Sequence, residues 1–293
     1  MPYLLWIALL MPLQPLSSLE TAIREFDGMV GLAAKNLDTG EEIVLNADTR
    51  FPTASTIKTA VMLEAWHQAS QGKLAMEDRL VLRDADKVGG SGVLNGMSDG
   101  LALPIRDVLH LMMVLSDNTA TNLLVNRLGT KQINDRLLAY GLTETKIFRP
   151  TFRDGRADVH PELEREFGLG MSTPREMARL MELIATGRAV SPAASEAMLA
   201  TLRGQTDRAM IPRLLPAGAR TGNKTGTDSE KLANDTGHRG AIRADAAIVT
   251  SDRSRYVIAI FVRRGRDTRG GVDNDAVLLG ARLARIVHDH FDR

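Results

Sequence analysis

Ser55-Thr56-Ile57-Lys58 is the stretch on which the reading of this chain turns. Pro52 precedes it, and Val61, Met62, Ala65 and Trp66 follow at helical spacing, which predicts an amphipathic helix over 56–71 with Ser55 as its N-cap. Residues three apart share a helix face, so the Ser55 hydroxyl and the Lys58 ammonium fall on one side. The partial positive charge of a helix N-terminus favours a developing oxyanion and disfavours a charged lysine. A neutral Lys58 can take the proton of Ser55 and activate a weak nucleophile. Read alone, a capping serine beside a solvated lysine is the better reading, since Ser-x-x-Lys is expected about once by chance in a chain of this length. A second one does occur, at Ser70-Gln71-Gly72-Lys73, where Gly72 marks a helix end and both side chains read as solvated.

Two further motifs follow in order. Ser116-Asp117-Asn118 lies in a turn between two helical segments, and Lys224-Thr225-Gly226-Thr227 lies on a predicted strand. Alone, the first reads as an N-cap and the second as a strand-end turn. Each triplet should arise by chance in roughly one chain in twenty, so the ordered set is far rarer. The set resembles that of the class A β-lactamases, within the penicillin-recognising serine hydrolases. The resemblance runs from about Leu19 to the C-terminus and includes Arg50-Phe51-Pro52, Asp117-Asn118-Thr119-Ala120-Thr121-Asn122-Leu123-Leu124 and Ser172-Thr173-Pro174.

The resemblance implies a β-lactamase fold and acyl-enzyme chemistry. Ser55 is then the acylated nucleophile, Lys58 the acylation base, and Ser116 the proton relay to the leaving nitrogen. Asn118 offers a donor and an acceptor to a substrate amide, while Asp117 reads as a helix cap. Lys224, Thr225 and Thr227 hold a substrate carboxylate, and Gly226 lets a substrate backbone come close. The backbone N–H groups of Ser55 and Thr227 form the oxyanion hole. The implied substrate is a β-lactam or an acyl-D-alanyl-D-alanine peptide, with no metal or organic cofactor.

Turnover is where this sequence departs from the family. Its β-lactamases carry, between the second and third motifs, a glutamate followed by Pro-Glu-Leu-Asn; the glutamate activates the deacylating water and the asparagine helps to hold it. Here the loop reads His160-Pro161-Glu162-Leu163-Glu164, which puts His160 at the base position and Glu164 at the asparagine position. The loop, residues 149–170, is also longer than the family norm. Three readings stay open at this point: Glu162, Glu164 or Glu166 is the base; His160 is, since an imidazole suits proton abstraction at neutral pH; or none is, and the protein is a penicillin-binding peptidase. Arg239 and Arg243 are candidates for the carboxylate-anchoring arginine of some family members, with the register left open by the insertion over 228–236.

Outward from the motifs, residues 29–46 read as strand, turn, strand about Asp38-Thr39-Gly40, and 241–250, 256–262 and 221–227 read as strands near the other end. Helices are expected over 105–115, 118–128, 174–186 and 275–291. The fold class is therefore α/β (α+β): an antiparallel sheet of about five strands from both chain ends, packed with helices, plus an all-helical lobe inserted over about 55–215. The stretch Gly89 to Gly100 reads as a loop.

Composition excludes several classes. At 293 residues, 44% hydrophobic and 25% charged, the chain can bury a sizeable core without disulfide or metal, and it has no cysteine. Its net charge of +1 gives no footprint for nucleic acid. Arg263, Arg264 and Arg266 read as a solvated strand end, and the histidines show no metal-ligand spacing. Residues 3–11 form an apolar run too short to span a membrane, so 1–18 are expected to be a secretory signal peptide or a poorly ordered extension before a catalytic domain over 19–293. A periplasmic or secreted monomer hydrolysing β-lactams is the leading expectation. The alternatives are a D,D-carboxypeptidase acting on cell-wall D-Ala-D-Ala peptides and a β-lactam-binding sensor without turnover, the latter disfavoured because no signalling domain is visible.

Overall fold

The computed structural model describes residues 14–293. Helix α1 (Gln14–Ile23) leads into the hairpin of β1 (Met29–Asn36) and β2 (Glu42–Leu45). Asn36 closes that turn by accepting the N–H of Asp38 at 2.9 Å and of Thr39 at 3.1 Å. Strand β3 (Phe51–Pro52) and a 3-10 turn over Ala54–Ile57 precede α2 (Lys58–Ser70). The inserted region continues through β4 (Arg79–Val81), β5 (Ala102–Pro104), α3 (Ile105–Val114), α4 (Asn118–Leu128) and α5 (Thr130–Ala139). It ends with β6 (Lys146–Ile147), α6 (Pro161–Phe167), β7 (Gly170–Ser172), α7 (Pro174–Ala185) and α8 (Pro192–Arg203). Strands β8 (Arg220–Ser229), β9 (Ala241–Thr250) and β10 (Arg255–Gly265) and helix α9 (Asp275–Phe291) complete the chain.

The expected sheet is present: five strands in the order β2-β1-β10-β9-β8, every neighbouring pair antiparallel. Alternation along a strand sends successive side chains to opposite faces, and both faces are buried. Tyr256, Ile258 and Ile260 pack with α1 and α9, and Val257, Ala259 and Phe261 pack toward the inserted helices. Strand β8 is the outermost strand, so the third motif sits at a sheet edge.

Several expectations need correction. Ser55 is not an N-cap: it lies inside the 3-10 turn, and the α-helix starts at Lys58. Packing overrides local preference there, because Thr53 N–H is tied to the Gly170 carbonyl at 2.9 Å and Ala54 is held at φ +44°. The inserted region is not all helical either, since β3-β7-β6 and β4-β5 form two small sheets. Prolines 52 and 104 force the residue before them to be extended, which seeds these short strands. Arg263 is not solvated; it is buried against Glu230, at 2.9 and 3.0 Å, and over the Phe167 ring. The expected signal segment lies outside the described residues, apart from 14–18, which begin α1. Among the described residues no helix is long and apolar enough to cross a membrane.

Candidate active site

The 3-10 turn that carries Ser55 abuts β8 at Gly226. A Cβ on Gly226 would lie 2.7 Å from the Thr53 carbonyl oxygen and 3.1 Å from the Ser55 nitrogen. Only glycine allows this approach, and it brings the first and third motifs together across 170 residues of sequence. Ser55 keeps partial exposure at the wall of a cavity of about 220 Å³, which Asn118 and Thr227 also line.

Behind Ser55 the three motifs converge on one hydroxyl. Lys58, fully buried on the first turn of α2, points its Nζ at the Ser116 carbonyl (2.7 Å), Ser116 Oγ (3.1 Å) and Asn118 Oδ1 (2.9 Å). Lys224, also fully buried, donates to Ser116 Oγ at 3.0 Å and to the Thr225 carbonyl at 2.8 Å. Burial, and then the neighbouring Lys224 charge, hold the Lys58 ammonium well below the ordinary lysine range. A neutral amine has two N–H donors and one lone pair; two of the three Lys58 contacts, to the Ser116 carbonyl and Asn118 Oδ1, are to oxygens that can only accept. The Ser116 hydroxyl, 3.1 Å away, is the Lys58 partner that can also donate. Burial pushes Lys224 down to about 8, while the Asp245 and Asp207 charges pull it back up. Ser116 itself is held at φ +55°, a strained conformation for a serine.

Asp117 caps α4 through the Ala120 N–H (2.8 Å), and its other oxygen accepts from Val93 (2.7 Å) and Leu94 (2.9 Å). It pins the loop of residues 89–94 to the start of α4, where Asn118 bonds the Gly89 carbonyl at 3.1 Å. One turn on, Asn122 clamps Thr151, accepting from its N–H (2.7 Å) and its hydroxyl (3.0 Å) and donating to its carbonyl (3.2 Å).

The loop after β6 meets the cavity through Arg149, Thr151, Phe152 and Asp154. The structure does not bring His160, Glu162, Glu164 or Glu166 to it. His160, at φ +51° before α6, is exposed, its ring edge-on to Phe148 and its Nδ1 3.5 Å from the exposed Glu162. Glu164 is buried and accepts from Arg149 Nε at 2.7 Å and the Gly155 N–H at 3.1 Å. Glu166 accepts from Arg263 at 3.3 Å and lines a different cavity. The acids that do reach the site are Asp154 and Asp228; Lys231 lies 3.7 Å from the first and 3.3 Å from the second, and Arg149 also bonds Asp154.

Of the other candidates, Thr225 is buried, and Arg239 is exposed on the connection between β8 and β9. Arg243 is buried with its guanidinium donating to the carbonyls of Asp228 (3.1 Å), Ile242 (2.8 Å) and Arg269 (2.8 Å). Among the described residues no three His, Cys, Asp or Glu side chains gather as a metal-ligand set. Sequence reasoning missed the roles of Asn122, Thr151, Phe152 and Lys231. For Asn122 a signal existed, since it lies one helical turn after Asn118 on the same face.

A family model described as the beta-lactamase enzyme family matches residues 15–291. Beta-lactamase CARB-3 of Pseudomonas aeruginosa is 25% identical over 269 residues, covering 90% of this chain and 84% of that protein. Among solved structures, a beta-lactamase from Sphaerobacter thermophilus superposes with a TM-score of 0.79 at 29% identity, covering 94% of this chain and 96% of that one. PBP-A superposes with a TM-score of 0.80 at 27% identity, covering 96% and 97%. A PBP-A variant, solved as an acyl-enzyme complex with penicillin G, reaches 0.79 at 27% identity, covering 94% and 95%.

Proposed function

Since this chain belongs to the beta-lactamase enzyme family, we propose that it is a serine hydrolase that opens β-lactam amides through an acyl-enzyme on Ser55. Lys58, neutral in its buried site, takes the Ser55 proton as Oγ attacks the carbonyl carbon. The C–N bond then breaks, Ser116 gives its proton to the leaving nitrogen, and Lys58 returns a proton to Ser116. Lys224 and Thr225 hold the substrate carboxylate, Asn118 the side-chain amide, and the Ser55 and Thr227 N–H groups the oxyanion. The observation that carries the reading is the convergence of the Lys58 and Lys224 amino groups on the Ser116 hydroxyl at 3.1 and 3.0 Å. The apolar run over 3–11 supports export to the periplasm or beyond.

A second reading, a penicillin-binding D,D-peptidase, is favoured by one observation: the loop residue clamped to Asn122 at the wall of the Ser55 cavity is Thr151, and the acids that line that cavity are paired with Lys231 and Arg149. Without a free carboxylate to activate water, the acyl-enzyme is long-lived. Intact-protein mass followed over time after mixing with benzylpenicillin separates the readings. A transient adduct with many equivalents hydrolysed means a β-lactamase. A stable adduct, with D-alanine released from an acyl-D-Ala-D-Ala peptide, means a peptidase. The S55A variant is expected to form no adduct; labelling that persists in it overturns the nucleophile assignment.

A further inference from the structure

We propose that Phe152 is a specificity-determining residue: an aromatic platform at the mouth of the Ser55 cavity that selects substrates bearing an apolar or aromatic acyl side chain. The proposal deepens the acylation reading and rests on it.

Phe152 is 59% exposed, against the general rule that large aromatic rings are covered, yet it lines the same cavity as Ser55, Asn118 and Thr227. Its backbone sits at φ +58°, in the left-handed region that a bulky L-residue rarely adopts. Strain of this kind persists where the surroundings impose it, and here the preceding residue is fixed by the three bonds between Thr151 and Asn122. Burial of the ring does not compensate that strain, so what the arrangement achieves is a flat apolar surface facing the cavity.

The opposite side of the mouth is Gly90, at φ +78°. A Cβ there would lie 3.0 Å from Phe152 Cζ and 2.6 Å from Asn118 Nδ2. The ring therefore reaches across from the loop after β6 to the residue that touches the amide-binding Asn118. The ring and the Asn118 amide thus meet at one point of the cavity mouth, so an acyl substituent next to an amide held by Asn118 has the ring within reach. The charged groups nearby, Asp154 and Lys231, face each other at 3.7 Å, which leaves the aromatic face as the surface on offer to an uncharged substituent.

The test compares Ser55 acylation by benzylpenicillin, which has a phenylacetyl substituent, with acylation by 6-aminopenicillanic acid, which has none, using intact-protein mass. F152A is expected to slow the second-order acylation by benzylpenicillin about tenfold, the size of a lost aromatic contact. Acylation by 6-aminopenicillanic acid should change by less than about twofold, and F152Y should restore the native preference. Equal slowing with both compounds, or no slowing with either, overturns the platform while leaving the acylation reading intact. No adduct and no hydrolysis on the native chain with either compound overturns the acylation reading and this one with it.

Discussion

Two walls face each other across Ser55, and they are built on opposite rules. One wall is made of the buried Lys58 and Lys224 and the half-buried Ser116, whose polar atoms are aimed at one another and at Asn118 and are mutually satisfied. The other wall is the loop after β6, whose charged side chains serve architecture. Glu164 neutralises the buried Arg149, and Glu166 joins the pair of Arg263 and Glu230. The comparison teaches that a carboxylate near a nucleophile in sequence is a base only if no cation claims it first. On the first wall two lysines are packed together, and burial and the neighbouring Lys224 push the Lys58 ammonium down; on the second opposite charges are packed together, which makes struts.

The largest effect expected from breaking this contrast is on the second wall. E164Q leaves the buried Arg149 without its main partner and should cost about 3 kcal/mol of stability, read by urea unfolding. E162Q, at an exposed site, should stay within about 0.5 kcal/mol. If E162Q destabilises as much as E164Q, the architectural reading of this loop is wrong. Next, on the first wall, G226A must move the Ser55 turn by tenths of an ångström to an ångström, and a shift of that order costs acylation about a hundredfold. An unchanged adduct-formation rate would show that the contact between β8 and the turn does not set the nucleophile.

Smaller effects sharpen the comparison. T151E places a carboxylate on the cavity wall where the native loop has a hydroxyl. Acyl-enzyme lifetime with benzylpenicillin should fall at least about tenfold, short of the roughly hundredfold at the lower end of general-base contributions. A lifetime that does not change would place the deacylating water elsewhere. Last comes pH. Burial pushes Lys224 down to about 8, so its charge, and with it the proposed grip on a substrate carboxylate, is present below that pH and lost as pH rises through it. The acylation rate should therefore fall above pH 8 by a few fold, and K224R, whose guanidinium stays charged, should shift that limb upward. A native limb that K224R leaves in place belongs to another group.

What could be read from the sequence follows the range of the interactions. The hairpin about Gly40, the strand at 241–250, the helices at 118–128 and 275–291 and the turn and strand that carry the second and third motifs rest on local spacing, and each is where the sequence places it. The start of α2 is not, because its end is set by contact with β7 and β8 rather than by a capping side chain. Helix α6, of seven residues, spans barely two turns, so its periodicity carries little signal.

The sequence by itself therefore determined the fold family and picked out the motif residues proposed for acylation, since each motif is a few adjacent letters that can be read without knowing the fold. Only the tertiary structure decided which loop side chain faces Ser55. That depends on pairings between residues 15 positions apart, as in Arg149 with Glu164, or 97 apart, as in Arg263 with Glu166. Charge pairing depends on distance in space and not on order in the chain, so four candidate bases that look alike in the sequence are separated only when the chain folds.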